Sequence, residues 1–238
     1  MSKKVVLVAL DSACSAAVAP VAAALAELEN ATSQVFDLAG TRGSPAEEMT
    51  RAAREGGCSL IVTVMGPLAE EILQRASCPL VLVGPRPHVP YVLRTILLPH
   101  DGTPSTAATF ASSATLARRA GARVEVLHVC GSGIARPTEL GSMTTPCYVD
   151  QAQHEWPSWT HEFMNRLGCL ADMDPASMHF ETRAGDPARE ILGVASAHGC
   201  DLIVLPWRGA LDPLRARILK EVLRGAPCPV MVVRTPQD

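Results

Sequence analysis

The sequence predicts an α/β fold of Rossmann-like type: two doubly wound, parallel-sheet units in tandem along one chain, forming a pseudo-dimer. Three observations carry this reading. Short blocks recur in the same order in two parts of the chain. Unbroken apolar runs alternate with segments that open on a helix cap and close on glycine, the pattern of strands crossed over by helices. Hydrophobic residues (AVILMFWYC) make up 47% of the 238, with only four Phe, three Trp and two Tyr. The core therefore rests on Val, Leu, Ile and Ala, as in sheets covered by helices, and a chain of this length excludes disorder or a disulfide-stapled miniprotein.

The elements follow in chain order. Val5-Val-Leu-Val-Ala-Leu10 imitates a secretory signal, but Asp11 stops the apolar run after six residues, short of the usual ~7–15. It predicts a first strand and a cytoplasmic protein. An Ala-rich helix follows, then a strand at Gln34-Val-Phe-Asp-Leu38. Ser44 is placed to cap the next helix, with Pro45 at its first position and Glu47 completing a capping box. That helix ends at Gly56-Gly57, where a left-handed glycine terminates helices well. Leu60-Ile-Val-Thr-Val64 reads as a strand buried on both faces, and Leu80-Val-Leu-Val83 as the fourth and last strand of this copy. Gly84-Pro-Arg-Pro-His-Val-Pro90 is too rich in proline for anything but a linker.

The same series then starts again. Thr95-Ile-Leu-Leu-Pro-His-Asp101 mirrors the first strand and its terminal aspartate, and Val124-Glu-Val-Leu-His-Val129 mirrors the second. Gly185-Asp-Pro-Ala-Arg-Glu190 repeats Gly43-Ser-Pro-Ala-Glu-Glu48, each 15 residues before its Gly-Cys cysteine. Gly199-Cys-Asp-Leu-Ile-Val204 repeats Gly57-Cys-Ser-Leu-Ile-Val62, and Cys228-Pro-Val-Met-Val-Val233 repeats Cys78-Pro-Leu-Val-Leu-Val83. The copies are unequal: Asp11 to Cys58 is 47 residues, whereas Asp101 to Cys200 is 99. The surplus is a Gly/Ser/Thr/Pro-rich loop through Cys147, a helix with Trp159, Phe163, Leu167 and Leu170 on one face, and a fifth strand at Met178-His-Phe-Glu-Thr182. The expected organisation is a reduced unit at 1–84, a linker at 85–93 and a fuller unit at 94–238.

Charge and composition exclude several function classes. Before Pro90 there are 7 basic and 9 acidic residues, and after it 14 and 15. Neither part has the basic excess of a nucleic-acid binder, and no run reaches the ~18 apolar residues of a membrane span. The eight cysteines form no C-x-x-C pair; Cys58, Cys78, Cys200 and Cys228 abut apolar strands, where a reduced thiol acts as a small hydrophobe. Cys147, His154 and His161, with Pro157 among them, make a poor zinc site, so no metal is expected. Trp156, Trp159 and Phe163 fit the core face of their helix, the alternative being an aromatic patch for a groove or partner. No nucleophile elbow, P-loop or metalloprotease motif occurs, and no catalytic residue is assigned.

The chain resembles the universal stress proteins in tandem form. The resemblance is carried by Asp101-Gly-Thr-Pro-Ser105, Gly185-Asp-Pro-Ala-Arg-Glu-Ile191, Cys200-Asp-Leu-Ile-Val204 and, most specifically, Val222-Leu-Arg-Gly-Ala-Pro-Cys-Pro-Val-Met-Val-Val233. In the first copy Leu68-Ala-Glu-Glu-Ile-Leu-Gln-Arg-Ala-Ser-Cys-Pro79 carries it more weakly. It implies that the paired units meet through Leu80–Val83 and Val230–Val233. It also implies a stress-response role through protein or small-ligand contacts, with a homodimer and an unidentified protein as candidate partners.

Nucleotide-binding members of that family carry G-x2-G-x9-G-[ST] between the fourth strand and helix, where glycine N–H groups and a helix N-terminus hold phosphate. Here Pro206-Trp-Arg-Gly209 replaces the first part, and six residues separate Gly209 from Ala216 at the position of the last glycine. In the first copy Met65-Gly66-Pro67 joins strand to helix directly. The resemblance thus implies a degenerate site, no required cofactor and no enzymatic activity. The alternative is an ATP or AMP sensor using Asp101 at the ribose position, Val129 at the adenine position, Arg208, Gly209, Ala216 and Arg217, with a weak ATP hydrolase as a third reading. Arg208, Arg215 and Arg217 are either phosphate ligands or solvated partners of Asp212 and Glu221, and Asp101 either a ribose contact or a helix cap.

Overall fold

In the computed structural model the described residues are 5–10, 15–37, 43–85, 90–130, 137–143, 152–207 and 213–235. The first half runs β1 (Val5–Leu10), α1 (Ser15–Glu29), β2 (Thr32–Asp37), α2 (Pro45–Glu55), β3 (Cys58–Val64), α3 (Pro67–Arg75) and β4 (Leu80–Val83). The second runs β5 (Thr95–Pro99), α4 (Pro104–Ala120), β6 (Arg123–Cys130), α5 (Ala152–Ala171), a 3-10 turn at Pro175–Ser177, β7 (Met178–Ala184), α6 (Pro187–Ala197), β8 (Leu202–Trp207), α7 (Pro213–Gly225) and β9 (Val230–Arg234). All nine strands form one sheet in the order β2-β1-β3-β4-β9-β8-β5-β6-β7. Each half is wound the same way, and every pairing is parallel except β4–β9.

At that junction Leu80, Val81 and Leu82 face Val232, Met231 and Val230. All six are buried, and their side chains alternate between two cores. Val81 and Met231 point with Leu60, Val62, Ile96, Leu98 and Val204 into a layer formed by α1, α4 and α5. Leu80, Leu82, Val230 and Val232 point with Ile61, Leu97 and Ile203 into the opposite layer of α2, α3, α6 and α7. A strand sandwiched between helix layers needs apolar residues at every position, which is why these segments read as unbroken runs. The two halves also meet above the sheet, where α1 packs on α4 and Arg119 Nη1 donates to the Leu28 carbonyl at 2.6 Å.

The helix boundaries follow their local signals. Ser44 and Asp186 cap α2 and α6 by accepting the N–H groups of Glu47 and Arg189, each with proline at the first helical position. Gly57 and Gly199 take positive φ of 61° and 58° after those helices. Glu47, expected to complete the capping box, pairs with Arg75, and the neighbouring Glu48 accepts the N–H of Gly43, one residue before the cap, at 3.0 Å. The surplus of the second half resolves into one crossover unit, α5 followed by edge strand β7. Within α5, Phe163, Met164, Leu167 and Ala171 are buried and Leu170 is 45% exposed, so the apolar face turns one position from the expected stripe, following the helical steps from 163 to 167 to 171. Tyr91 and Leu93, at the expected linker's end, are buried, and Asp201 Oδ2 accepts the N–H groups of Arg94 and Thr95.

Because one sheet spans both halves, cavity creation in one is expected to be felt in both. Leu82→Ala removes a side chain 2% exposed at the junction and is expected to cost about 2–5 kcal/mol. All three tryptophans lie in the second half. Urea unfolding followed by tryptophan fluorescence and by far-ultraviolet circular dichroism should therefore show the same lowered midpoint; separate midpoints would mean that the halves unfold independently.

Candidate functional site

In an open α/β sheet the crevice for ligands lies beyond the carboxyl ends of the strands where the winding reverses. In the second half that point falls between β5 and β8. The chain leaving β5 makes a tight, polar turn there. Asp101 Oδ1 accepts the Thr103 N–H at 3.1 Å and its hydroxyl at 2.7 Å. Thr103 in turn caps α4, its hydroxyl oxygen accepting the Thr106 N–H at 3.2 Å, with Pro104 beginning the helix. Asp101 is therefore one step removed from the cap: it holds the capping residue.

His100, one residue earlier, is 6% exposed. Its Nδ1 accepts the Gly102 N–H at 2.7 Å, so in the neutral ring the proton sits on Nε2. Burial pushes its pKa down to about 4, against the opposing pull of Asp101. The His100 carbonyl accepts from His128 Nδ1 at 2.8 Å, and burial lowers His128 as well. Both imidazoles pack in an aromatic cluster: His100 lies edge-on to Phe110 and Phe163, and His128 lies against Trp159 and Phe163. The aromatic residues of α5 thus serve the core, with Trp156 edge-on to Trp159 at its margin.

A loop at 137–143 closes over the start of α4. Glu139 accepts the Ser105 N–H at 2.8 Å and the Ser105 hydroxyl at 2.6 Å, so an internal carboxylate sits at the positive end of this helix. Met143 donates its N–H to the Gly102 carbonyl at 2.8 Å. Gly102 has φ +88°, and a Cβ there would lie 2.1 Å from the Met143 carbonyl oxygen, so only glycine fits. Between this turn, the loop and α5 is a cleft of about 500 Å³ lined by His100, Gly102, Thr103, Met143, Phe163 and Arg166 among others.

The other candidates lie apart from it. Val129, near the end of β6, packs toward the α6 and α7 layer. β8 continues through Pro206 and Trp207, paired with Val233 and Arg234, so the expected loop residues Pro206 and Trp207 belong to the strand. The Trp207 indole is buried, and its Nε1 has no hydrogen-bond partner among the described residues. Arg208, Gly209 and Asp212 lie outside the described residues, as does Cys147. Helix α7 begins at Pro213. In helical geometry the N–H groups of Leu214 and Arg215 belong to the first turn of α7 and have no carbonyl partner within the helix.

The Arg217 guanidinium donates to Asp186 Oδ2 at 3.1 Å and to Glu221 Oε1 at 2.9 Å. Both carboxylates raise its pKa further; Asp186 is lowered first by the Arg189 N–H it accepts and then by Arg217. This exposed ion-pair network lines a shallow cleft between α6 and α7 that Asp101 does not share. The described structure thus joins Asp101 to Thr103 and Arg217 to Asp186, and does not bring Asp101 and Arg217 into one cleft. Among the described residues no group of three or more His, Cys, Asp or Glu is arranged to hold a metal.

Sequence reasoning missed His100 and Glu139. The cap of α4, expected at Asp101, is Thr103, which a local Thr-Pro signal could have marked, whereas the Glu139 contact spans 34 residues and has no local signal.

Two measurements check this geometry. His100 titrates near 6.5 when unfolded and near 4 when folded, so the unfolded chain binds more protons between those values. Stability present above pH 6.5 is then lost as pH falls toward 4, by roughly 3 kcal/mol from this group. His100→Asn, which keeps an acceptor for Gly102, should flatten the dependence of urea midpoint on pH relative to the parent. Gly102→Ala should displace the 137–143 loop, cost about 1–3 kcal/mol, and make that loop the first site of limited proteolysis.

Comparison with known proteins agrees with this architecture. Among solved structures, a putative universal stress protein from Pseudomonas aeruginosa UCBPP-PA14 superposes with a TM-score of 0.61 at 14% identity, covering 98% of this chain and 83% of the other. A functionally unknown protein from Pseudomonas aeruginosa PAO1 gives 0.59 at 15%, covering 98% and 82%. A universal stress protein from Archaeoglobus fulgidus DSM 4304 gives 0.58 at 17%, covering 93% and 76%. At such identities these likenesses concern the fold. No curated protein matches the sequence. The family model for the universal stress protein family matches residues 93–234, more than half of the chain, and the chain belongs to that family.

Proposed function

We propose that this universal stress protein is a non-enzymatic, cytoplasmic member that acts through contacts with proteins or small ligands, its nucleotide loop being degenerate. The engagement of Arg217 carries this reading. The cation best placed in the sequence to meet a phosphate is held by Asp186 and Glu221. In a nucleotide site that guanidinium would have to leave two carboxylates, whose charge would also repel phosphate. The first half supports the same reading: only Met65 and Gly66 separate β3 from α3, too few for a phosphate-cradling loop. Glu139 already supplies the negative charge at the start of α4. Among the described residues no helix is long and apolar enough to cross a membrane, and six cysteines are free thiols, in keeping with a reducing compartment.

A second reading, an ATP or AMP sensor in the second half, is favoured by one observation. Asp101 follows β5, which flanks the point of winding reversal, and Val129 lies near the end of β6, which adjoins β5 on its other side. Calorimetric titration with ATP–Mg²⁺, ADP and AMP separates the two. Heats no larger than dilution, for the parent and for Arg217→Ala, are expected. Saturable micromolar binding that Asp101→Ala or Arg217→Ala weakens would establish the sensor instead, and phosphate release from bound ATP would establish a hydrolase.

A further inference from the structure

The surplus of the second half encloses space that the first half does not. Val8 faces Val35 across β1–β2 as Leu98 faces Val126 across β5–β6, so the two valines occupy equivalent places. Val126 is fully buried in the core that α5 joins, whereas Val35 is 60% exposed. Among the described residues the first half has no counterpart of α5. The cleft of about 500 Å³ that α5 forms with the 137–143 loop and the β5–α4 turn therefore belongs to the surplus.

The walls of this cleft are mostly apolar. Ala107 of α4, Met143 of the loop, and Phe163, Leu167 and Leu170 of α5 line it. Leu170 is 45% exposed, so part of that apolar wall stands in water. One donor faces it. The Nδ1 of His100 is taken by the Gly102 N–H, which leaves the ring proton on Nε2. Among the described residues Nε2 has no hydrogen-bond partner, yet it is not one of the unpartnered polar atoms closed off from solvent, which are Trp159 Nε1, Glu181 Oε2, His198 Nδ1 and Trp207 Nε1. In a side chain only 6% exposed, Nε2 thus opens onto the cleft that His100 lines.

The mouth does not favour an anion. Arg166 Nη1 donates to the Gly141 carbonyl at 3.2 Å, and its Nε lies 3.5 Å from Glu162 Oε1. A carboxylate or phosphate would compete with Glu162 for that cation and, farther in, would meet the charge of Asp101 next to His100. The nucleotide candidates Val129 and Arg217 lie elsewhere, against α6 and α7.

We infer that this cleft binds a small, uncharged, largely apolar carbonyl compound whose oxygen accepts a hydrogen bond from His100 Nε2–H. An apolar enclosure of roughly 300–1,000 Å³ with a few placed polar groups is the usual make-up of a small-molecule site. A carbonyl oxygen satisfies the buried donor without bringing a charge against apolar walls. The remainder of the ligand takes the surfaces of Met143, Phe163, Leu167 and Leu170 out of water. This inference rests on the small-ligand part of the function proposed above, and nucleotide binding elsewhere in the second half would leave it standing.

Benzophenone, an uncharged diaryl ketone, and diphenylmethane, with the same rings and no oxygen, probe the site on the full chain. Ligand-detected NMR titration should show saturable benzophenone binding, several-fold tighter than that of diphenylmethane. His100→Asn keeps an acceptor for the Gly102 N–H but does not reach the position of Nε2, and should abolish that difference. Leu170→Glu, on the half-exposed wall, should weaken both compounds alike. Irradiated benzophenone inserts into C–H bonds that it touches, and peptide mapping should find the label at Met143, Phe163, Leu167 or Leu170, undiminished by excess AMP. This mapping tests the site in the parent even if His100→Asn fails to fold. Absence of saturable benzophenone binding, equal affinity for diphenylmethane, labelling confined to residues outside the cleft, or loss of label to AMP would each overturn the proposal. ATP binding that leaves the labelling intact would overturn the degenerate-loop reading and not this one.

Discussion

The antiparallel pairing of Leu80–Val83 with Val230–Arg234 joins two repeats into one sheet, and the rest of the architecture depends on it. Each strand would otherwise be an edge, with unpaired backbone groups and apolar side chains on both faces, a combination that invites aggregation. Paired, the two strands become the centre of a nine-stranded sheet, and their alternating residues feed both helix layers. The unbroken apolar composition of these segments makes sense only in that central position.

From this junction outward the halves diverge. The second carries an extra crossover, α5 and β7, which buries Val126 and supplies Phe163 and Trp159 to the packing around His100 and His128. The first lacks it, and its β3 runs into α3 through two residues. Pseudo-symmetry at the seam therefore coexists with asymmetry at the flanks. Loss of one strand and one helix leaves the seam intact because the missing unit lies at the far edge of the sheet, where it contributes nothing to the β4–β9 contact.

At the carboxyl end of β5 the polar groups are largely turned inward. Asp101 holds Thr103, Thr103 caps α4, Glu139 satisfies Ser105, and the neutral His100 accepts from Gly102. Arg217 is similarly taken up by Asp186 and Glu221. Among the described residues, Asp101, Ser105 and Arg217 each hydrogen-bond to neighbouring groups of the chain, and the helix dipole of α4 is met by a side chain of the same chain.

The sequence by itself determined the elements whose causes are local: the caps at Ser44 and Asp186, the left-handed glycines at 57 and 199, the apolar strands, and the repetition that makes the fold double. These are legible because a cap or a buried strand depends on a few neighbouring residues. Family resemblance, and not composition, supplied the expected seam. Only the tertiary structure decided that Glu47 pairs with Arg75 while Glu48 takes the Gly43 N–H, that α5 turns Leu170 toward solvent, that Glu139 reaches back 34 residues to Ser105, and that Arg217 crosses to Asp186 at the start of another helix. It alone decided that Val35 and Val126, alike in residue and register, differ in exposure. Such outcomes depend on which distant segments the sheet order brings together, and one-dimensional spacing does not encode that.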